Sequence, residues 1–367
     1  MIRLNMIVKL FLAFLYLAIF VSGVNKDVVF VSILISFLAI CLGSIYLLRN
    51  GTRIGFPKYF PLMICFVLIL QIYLFFISNK LNPFYYTTTM SMGLIYWLIF
   101  FNLKNGDRIL KSLLIRFSLT YSSFYILSKV FNINLIKLAE LIFTQDFPTR
   151  HYYFGGFWAI TIVLLVGLYW KEFKLKQWLI IGLGIVFVAI SNARSGYLSL
   201  TLGIGYIIVK KTKGVRLDKK IVIPLISLIV GLFMFSSLGR TTLFSRPYYI
   251  QSIESFVKYP LGVGMGNFKQ ISEMYQLKSL TETSFSIYAH NIFLETLSGV
   301  GIFSVVFLAF LILLVRDILK EDSKNIVWGA VIISILTNFM LDASYTIPGF
   351  IWILFISIGV FQSKKIN

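Results

Sequence analysis

The chain has 367 residues, a formal net charge of +20, 58% hydrophobic residues and only 13% charged ones. With a mean hydropathy of +0.87 and about half the charged content of a soluble domain, an ordinary soluble enzyme is excluded. The basic excess does not mark a nucleic-acid binder, because the lysines and arginines sit mostly in short segments between apolar runs, where the positive-inside rule places them.

In chain order, the apolar runs predict twelve spans, at about 6–24, 27–48, 60–78, 86–103, 109–130, 154–170, 177–193, 196–209, 221–238, 288–315, 325–341 and 347–362. The expected fold class is therefore all-α. It is a polytopic membrane protein with about 12 transmembrane helices, organised as a single integral membrane domain over 1–367. The first run lacks a small-residue cleavage site and reads as a retained span. Cys41 and Cys65 both lie inside apolar runs, and they form neither a metal-spaced pair nor a disulfide framework.

Charge sets the expected orientation. Lys210, Lys211, Lys213, Arg216, Lys219 and Lys220 crowd the connection between spans 8 and 9, which is placed in the cytoplasm. Alternation then puts Arg49, Arg53, Lys58, Lys104, Arg108, Lys111, Lys171, Lys174, Lys176, Arg316, Lys320 and Lys324 on the same side. Arg3, Lys9, Lys364 and Lys365 put both termini there. In all, 22 of the 34 basic residues are inside and 11 outside, with Arg116 within span 5.

The opposite face receives a 131–153 loop, a tight turn carrying Arg194 and a long extracytoplasmic loop, 239–287, between spans 9 and 10. Long loops in compact proteins are usually functional or disordered, and this one has the composition of an ordered segment. Pro247 can begin a helix. Ile250, Ile253, Phe256 and Val257 then follow at helical spacing, and Phe268 to Leu277 can form a second short helix.

The candidate functional residues gather on this face. Arg194 is either a snorkelling arginine or a phosphate ligand whose planar donor fork keeps its charge. Arg240 and Arg246 are either solvated loop charges or, with Arg194 and Arg150, a cationic pocket for a diphosphate. Gly262, Gly264 and Gly266 form a Gly-x-Gly-x-Gly run without the spacing or context of a dinucleotide fingerprint. It suits a tight turn between short helices, or close backbone approach to a sugar or phosphate. His290, flanked by Asn291, opens span 10 where the arginine-rich loop returns to the membrane. It is either a structural histidine or a general base. Asn291 and Glu295 are expected to share a helix face, with Glu295 about 140° round from His290. His151, beside Arg150, reads as a loop histidine. Glu295, Glu254 and Asp342 are the fallback bases.

There is no Gly-x4-Gly-Lys-Ser/Thr, no Asp-x-Asp and no His-Glu-x-x-His. The chain therefore lacks the signatures of an ATP-driven pump, a metal-dependent nucleotide-sugar transferase and a zinc protease. No metal site and no cofactor are expected.

Four stretches carry a resemblance. They are Asn192-Ala193-Arg194-Ser195-Gly196, Gly239-Arg240, Tyr259-Pro260-Leu261-Gly262-Val263-Gly264-Met265-Gly266-Asn267-Phe268, and Ala289-His290-Asn291-Ile292-Phe293-Leu294-Glu295 running to Gly299-Val300-Gly301. In order, spacing and sidedness they resemble the O-antigen ligase / Wzy-type O-antigen and capsule polymerase superfamily over about 190–305. Arg150 with Gly155-Gly156 echoes a further family feature.

The resemblance implies a bacterial inner-membrane glycosyltransferase. Its donor would be an undecaprenyl-diphosphate-linked oligosaccharide, used on the extracytoplasmic face without a metal. Arg194 and Arg240 would hold the diphosphate and His290 would activate the acceptor hydroxyl. A polymerase of O-antigen, capsule or exopolysaccharide repeats would take a second lipid-linked unit as acceptor, whereas a ligase would take lipid A-core. A flippase and a chain-length regulator are the implied protein partners. Arg194-x10-Gly205 also fits an Arg-x10-Gly pattern of some polymerases, which Arg240 and Arg246 do not repeat. The alternative from another class is a lipid-linked glycan flippase. Transporters, however, place their binding groups near the midplane, and here the polar groups gather at one face.

Overall fold

The computed structural model describes residues 6–24, 29–77, 81–130, 151–170, 172–191, 193–212, 247–274, 288–322 and 325–363. Among these the chain is all-helical, with no strand. In chain order the helices are α1 (Met6–Val24), α2 (Val29–Arg49), α3 (Phe60–Phe76), α4 (Leu81–Asn102), α5 (Gly106–Val130), α6 (His151–Tyr169), α7 (Leu175–Ser191) and α8 (Arg194–Lys211). They continue with α9 (Pro247–Lys258), α10 (Phe268–Met274), α11 (Ile292–Val300), α12 (Ser304–Lys320), α13 (Ile326–Leu341) and α14 (Pro348–Ser363). Short 3-10 turns, Gly301–Phe303 and Ala343–Thr346, precede α12 and α14.

Helices fill the expected apolar segments wherever those lie among the described residues; the 221–238 segment lies outside them. Phe30–Arg49 and Ile292–Lys320 are long and apolar enough to cross a membrane. Met6–Ser22, Phe60–Phe76, Phe154–Tyr169, Leu175–Ser191, Ile326–Leu341 and Pro348–Ser363 are shorter apolar helices.

The expected continuous helix over 288–315 needs correction. The chain breaks at Gly301–Phe303 into α11 and α12, and His290 and Asn291 precede α11 rather than lying on it. The helical-face relation expected of Asn291 and Glu295 therefore does not apply. The break has a steric cause. Gly301 adopts φ +59°, and a Cβ there would stand 2.0 Å from the Pro260 carbonyl oxygen. Only glycine fits a left-handed residue pressed against another backbone.

The centre of the bundle is α14. Every residue from Pro348 to Gln362 is buried, as an all-round apolar helix requires. It packs on α4, α1 and α13, and α13 packs on α8 and α6. Trp97 of α4 lies against Phe355 of α14 and Phe310 of α12, tying three helices into one apolar core. Gly155 of α6 meets the end of α7 and the start of α8 closely: a Cβ on Gly155 would come 2.3 Å from Ser191 Oγ of α7, and one on Gly196 of α8 would come 3.2 Å from the Gly155 backbone. This contact sets where α8 begins. Gly205, by contrast, faces open space, so its spacing from Arg194 answers no packing need.

The bundle has two distinct ends. At one, Lys58 pairs with Asp317 at 3.0 Å and Lys210 with Asp322 at 2.9 Å, joining the basic turns after α2, α8 and α12. The start of α8 lies at the other end, about 27 Å away along an 18-residue helix.

Candidate functional site

At the end away from the basic turns, segments far apart in sequence converge on His290. The local structure around it is fixed from both sides. Asn291 caps α11, its Oδ1 accepting from Phe293 N at 2.9 Å and Leu294 N at 3.1 Å, while its Nδ2 donates to Met340 O at 3.0 Å. Such a cap is worth about 1 kcal/mol. On the other side, Ala289 N donates to Glu295 Oε2 at 2.9 Å. Between these anchors His290 is held at φ +53°, a left-handed conformation that costs a non-glycine residue about 1 kcal/mol or more. A strained backbone kept by neighbouring contacts is a common feature of functional positions.

His290 Nδ1 lies 3.4 Å from Asp342 Oδ1. A carboxylate only accepts, so Nδ1 carries the proton and Nε2 is the basic nitrogen. The separation is long for a hydrogen bond. Asp342 is itself oriented. Its Oδ1 accepts from Ala343 N at 2.8 Å and its Oδ2 from Ser195 Oγ at 3.2 Å. The His290 side chain is 29% exposed and that of Asp342 14%, so the imidazole is partly open while its partner is largely covered. Tyr248, near the start of α9, lies against the His290 ring with centroids 5.0 Å apart.

Ser195 is in the first turn of α8, and Arg194 is that helix's first residue. Ala193, at the cap position, makes no side-chain cap. The positive end of the α8 dipole, with Arg194 as its first residue, therefore stands next in sequence to Ser195 of the Ser195–Asp342–His290 chain. Helix dipoles favour anions at this position, so an arginine there adds a second source of positive potential.

The Gly-x-Gly-x-Gly run resolves as a turn between α9 and α10. Gly262, Gly264 and Gly266 have φ of +86°, +99° and +83°. The turn is stitched to α11 by Val263 N to Ser298 O at 3.1 Å, Gly264 N to Gly299 O at 2.7 Å and, just beyond α11, Ile302 N to Pro260 O at 2.8 Å. A Cβ on Gly262 would meet Gly299 O at 2.4 Å. The close approach at Gly262 is to the chain's own backbone, whereas a Cβ on Gly264 or Gly266 would meet side chains, Ile77 at 2.8 Å and Tyr86 at 2.6 Å.

Glu295 is the strut beneath the site. At 1% exposure it accepts from Gly266 N at 3.2 Å, Ala289 N at 2.9 Å and the Tyr345 hydroxyl at 3.1 Å. It therefore joins the glycine turn, the residue before His290 and the turn after Asp342. Burial, reinforced by the Glu295 carboxylate, holds the Tyr345 phenol well above its usual pKa, so Tyr345 acts as the donor. Glu295→Ala leaves three buried donors without an acceptor, each costing about 1–3 kcal/mol. A large drop in the unfolding midpoint of the purified protein is the expected result. An unchanged midpoint would remove the strut assignment.

Of the residues singled out in the sequence, Arg194, His290, Asn291 and the three glycines belong to this end of the bundle. Arg150, Arg240 and Arg246 lie outside the described residues. His151 is the first residue of α6. Asp342 was expected only as a fallback base and is instead the partner of His290. The available signal was its position, as the one charged residue between the runs that became α13 and α14. Ser195 and Tyr248 carried no signal of their own. No three His, Cys, Asp or Glu side chains gather at metal-binding range among the described residues. No protein-family model matches the chain, and no curated protein matches it significantly.

Proposed function

We propose that this chain is a polytopic bacterial inner-membrane glycosyltransferase with about twelve spans. It takes an undecaprenyl-diphosphate-linked oligosaccharide as donor and polymerises repeat units on the extracytoplasmic face. The observation that carries this reading is the His290–Asp342–Ser195 chain, which places a partly exposed imidazole beside the Arg194 end of α8. A base and a fixed cation at one place are what this transfer needs.

In the reaction, His290 Nε2 takes the proton of the acceptor hydroxyl, and the acceptor oxygen forms a bond to the anomeric carbon of the donor. The bond from that carbon to the diphosphate oxygen breaks, and polyprenyl diphosphate leaves with the electron pair. Asp342 stabilises the imidazolium formed. Arg194 and the α8 terminus stabilise the negative charge growing on the leaving oxygen, which is where fixed electrostatics contribute most to rate. Arg240, with Arg150 and Arg246, completes the diphosphate clamp in this reading.

The membrane assignment is supported by the apolar helices and by the outward side chains they leave exposed. These include Leu34, Phe37, Ile45 and Leu48 on α2, and Leu179, Val186 and Ile190 on α7. The separation of basic turns from the His290 end matches the positive-inside rule, with the basic end cytoplasmic. In a chain cleared of Cys41 and Cys65, Thr212→Cys and Lys269→Cys are expected to label on opposite sides with a membrane-impermeant thiol reagent in intact cells. Equal labelling would overturn the topology.

The activity test uses purified protein in proteoliposomes with undecaprenyl-diphosphate-linked oligosaccharide. Longer lipid-linked chains support polymerisation. Transfer only to added lipid A-core would replace polymerase by ligase, and movement of the lipid-linked unit without reaction would replace both by a flippase.

A further inference from the structure

The helix α9 is built inside out. Its protein-facing side is polar: Gln251, Ser252 and Ser255 are each 0% exposed, and Gln251 Oε1 accepts from Ser272 Oγ of α10 at 2.8 Å. Its outward side is apolar. Ile250 and Ile253 are each 52% exposed, Val257 75% and Leu261 60%, forming one stripe that runs past the end of the helix. In water this arrangement loses twice, because the apolar face stays wet while polar groups are buried. Three such side chains on a 12-residue helix, with Leu261 just beyond its end, are not scattered surface residues.

The stripe does not end at α9. Pro260 O accepts from Ile302 N at 2.8 Å, which brings Leu261 beside the start of α12. There Ile302, Phe303 and Val305 are exposed, followed on the same helix by Ile312 and Leu319. This backbone hydrogen bond thus joins the exposed apolar residues at the start of α12 to those at the end of α9. Tyr73 of α3 donates to Gly262 O at 3.1 Å, and Phe75 and Phe76 at the end of the same helix are also exposed. At the edge of the stripe the exposed Lys258 places its ammonium 5.6 Å from the Tyr259 ring, a cation and an aromatic ring of the kind found at headgroup level.

Resting on the membrane reading above, we infer that α9 lies in the plane of the outer leaflet as an interfacial helix. Its Ile250–Ile253–Val257–Leu261 face is sunk among the lipid acyl chains near the headgroups. Amphipathic helices of this kind bury the apolar face about 5–10 Å into that boundary. The consequence for the site is direct. Tyr248, near the first turn of α9, lies against His290, so the helix sets the depth of the imidazole at the level of lipid phosphates. A lipid-linked diphosphate then meets the base without leaving the membrane surface.

The test uses the full chain with Cys41 and Cys65 replaced by alanine, reconstituted in vesicles of phosphatidylethanolamine with a minority of phosphatidylglycerol. Single cysteines at Ile253, Val257, Ile312 and Lys269 carry a nitroxide, and relaxation by oxygen is compared with relaxation by a water-soluble nickel chelate. The oxygen-to-nickel ratio at 253 and 257 is expected to be several-fold above that at 269 and close to that at 312. A nickel-dominated signal at 253 and 257 with an oxygen-dominated signal at 312 overturns this inference alone. Silence toward both reagents at 253 and 257 also overturns it, since protein then covers the face, whether another part of this chain or a second copy. A nickel-dominated signal at 312 overturns the membrane reading and this inference together.

Discussion

His290→Ala is expected to slow glycan transfer by about 10²–10⁴, the usual contribution of a positioned general base. Binding of undecaprenyl diphosphate should be largely unchanged, because the proposed mechanism holds the anion from the α8 side and not by the imidazole. Alanine tolerates the φ of +53° at this position poorly, so a second variant is needed. Asparagine enters the left-handed region more readily and cannot act as a base at neutral pH. His290→Asn should therefore restore the unfolding midpoint and leave the rate low. Asp342→Asn should lower kcat with little change in KM, since its carboxylate orients the ring and stabilises the imidazolium without touching substrate. His151→Ala should be mild by comparison. Near-normal turnover by both His290 variants would remove the base assignment. Loss of diphosphate binding together with turnover would make His290 part of the anion pocket instead.

The helices were legible in the sequence because a long apolar run has few alternatives once its backbone must satisfy itself. Both ends of α9 were legible for similar local reasons: Pro247 suits a first turn, and the Pro260–Gly262 stretch cannot continue a helix. What could not be read locally was set by partners distant in the chain. The break after α11 exists because Gly301 is pressed on Pro260, about forty residues earlier, and hydropathy has no means of registering that contact. The partner of His290 lies on the far side of α12 and α13. Asp342 therefore looked like one acid among three, until the packing of α13 against α8 set it between His290 and Ser195. Periodicity identified the apolar stripe of α9 but not the direction it faces, because a 3.6-residue repeat reads the same whether the stripe meets a core or a lipid.

Arg194→Lys is expected to reduce turnover by about 10², within the range for loss of one preorganised donor to a developing oxyanion. The expected loss follows from where the residue stands and what it can offer. Arg194 begins α8 with no side-chain cap before it, at the dipole end where an acidic residue would stabilise the helix and a cation does not. Lysine keeps the charge and the same conflict with the dipole, so insertion and the unfolding midpoint should not change. It loses the planar fork that engages two phosphate oxygens at once, and a point charge on a flexible stem cannot restore that geometry. Binding of undecaprenyl diphosphate should weaken together with the rate, in contrast to His290→Ala, where only the rate falls. Arg194→Ala is expected to abolish transfer, because it removes both the charge and the donor fork. A lysine variant with wild-type turnover and binding would show that charge alone suffices at this position, and the diphosphate clamp would then have to be built from other residues.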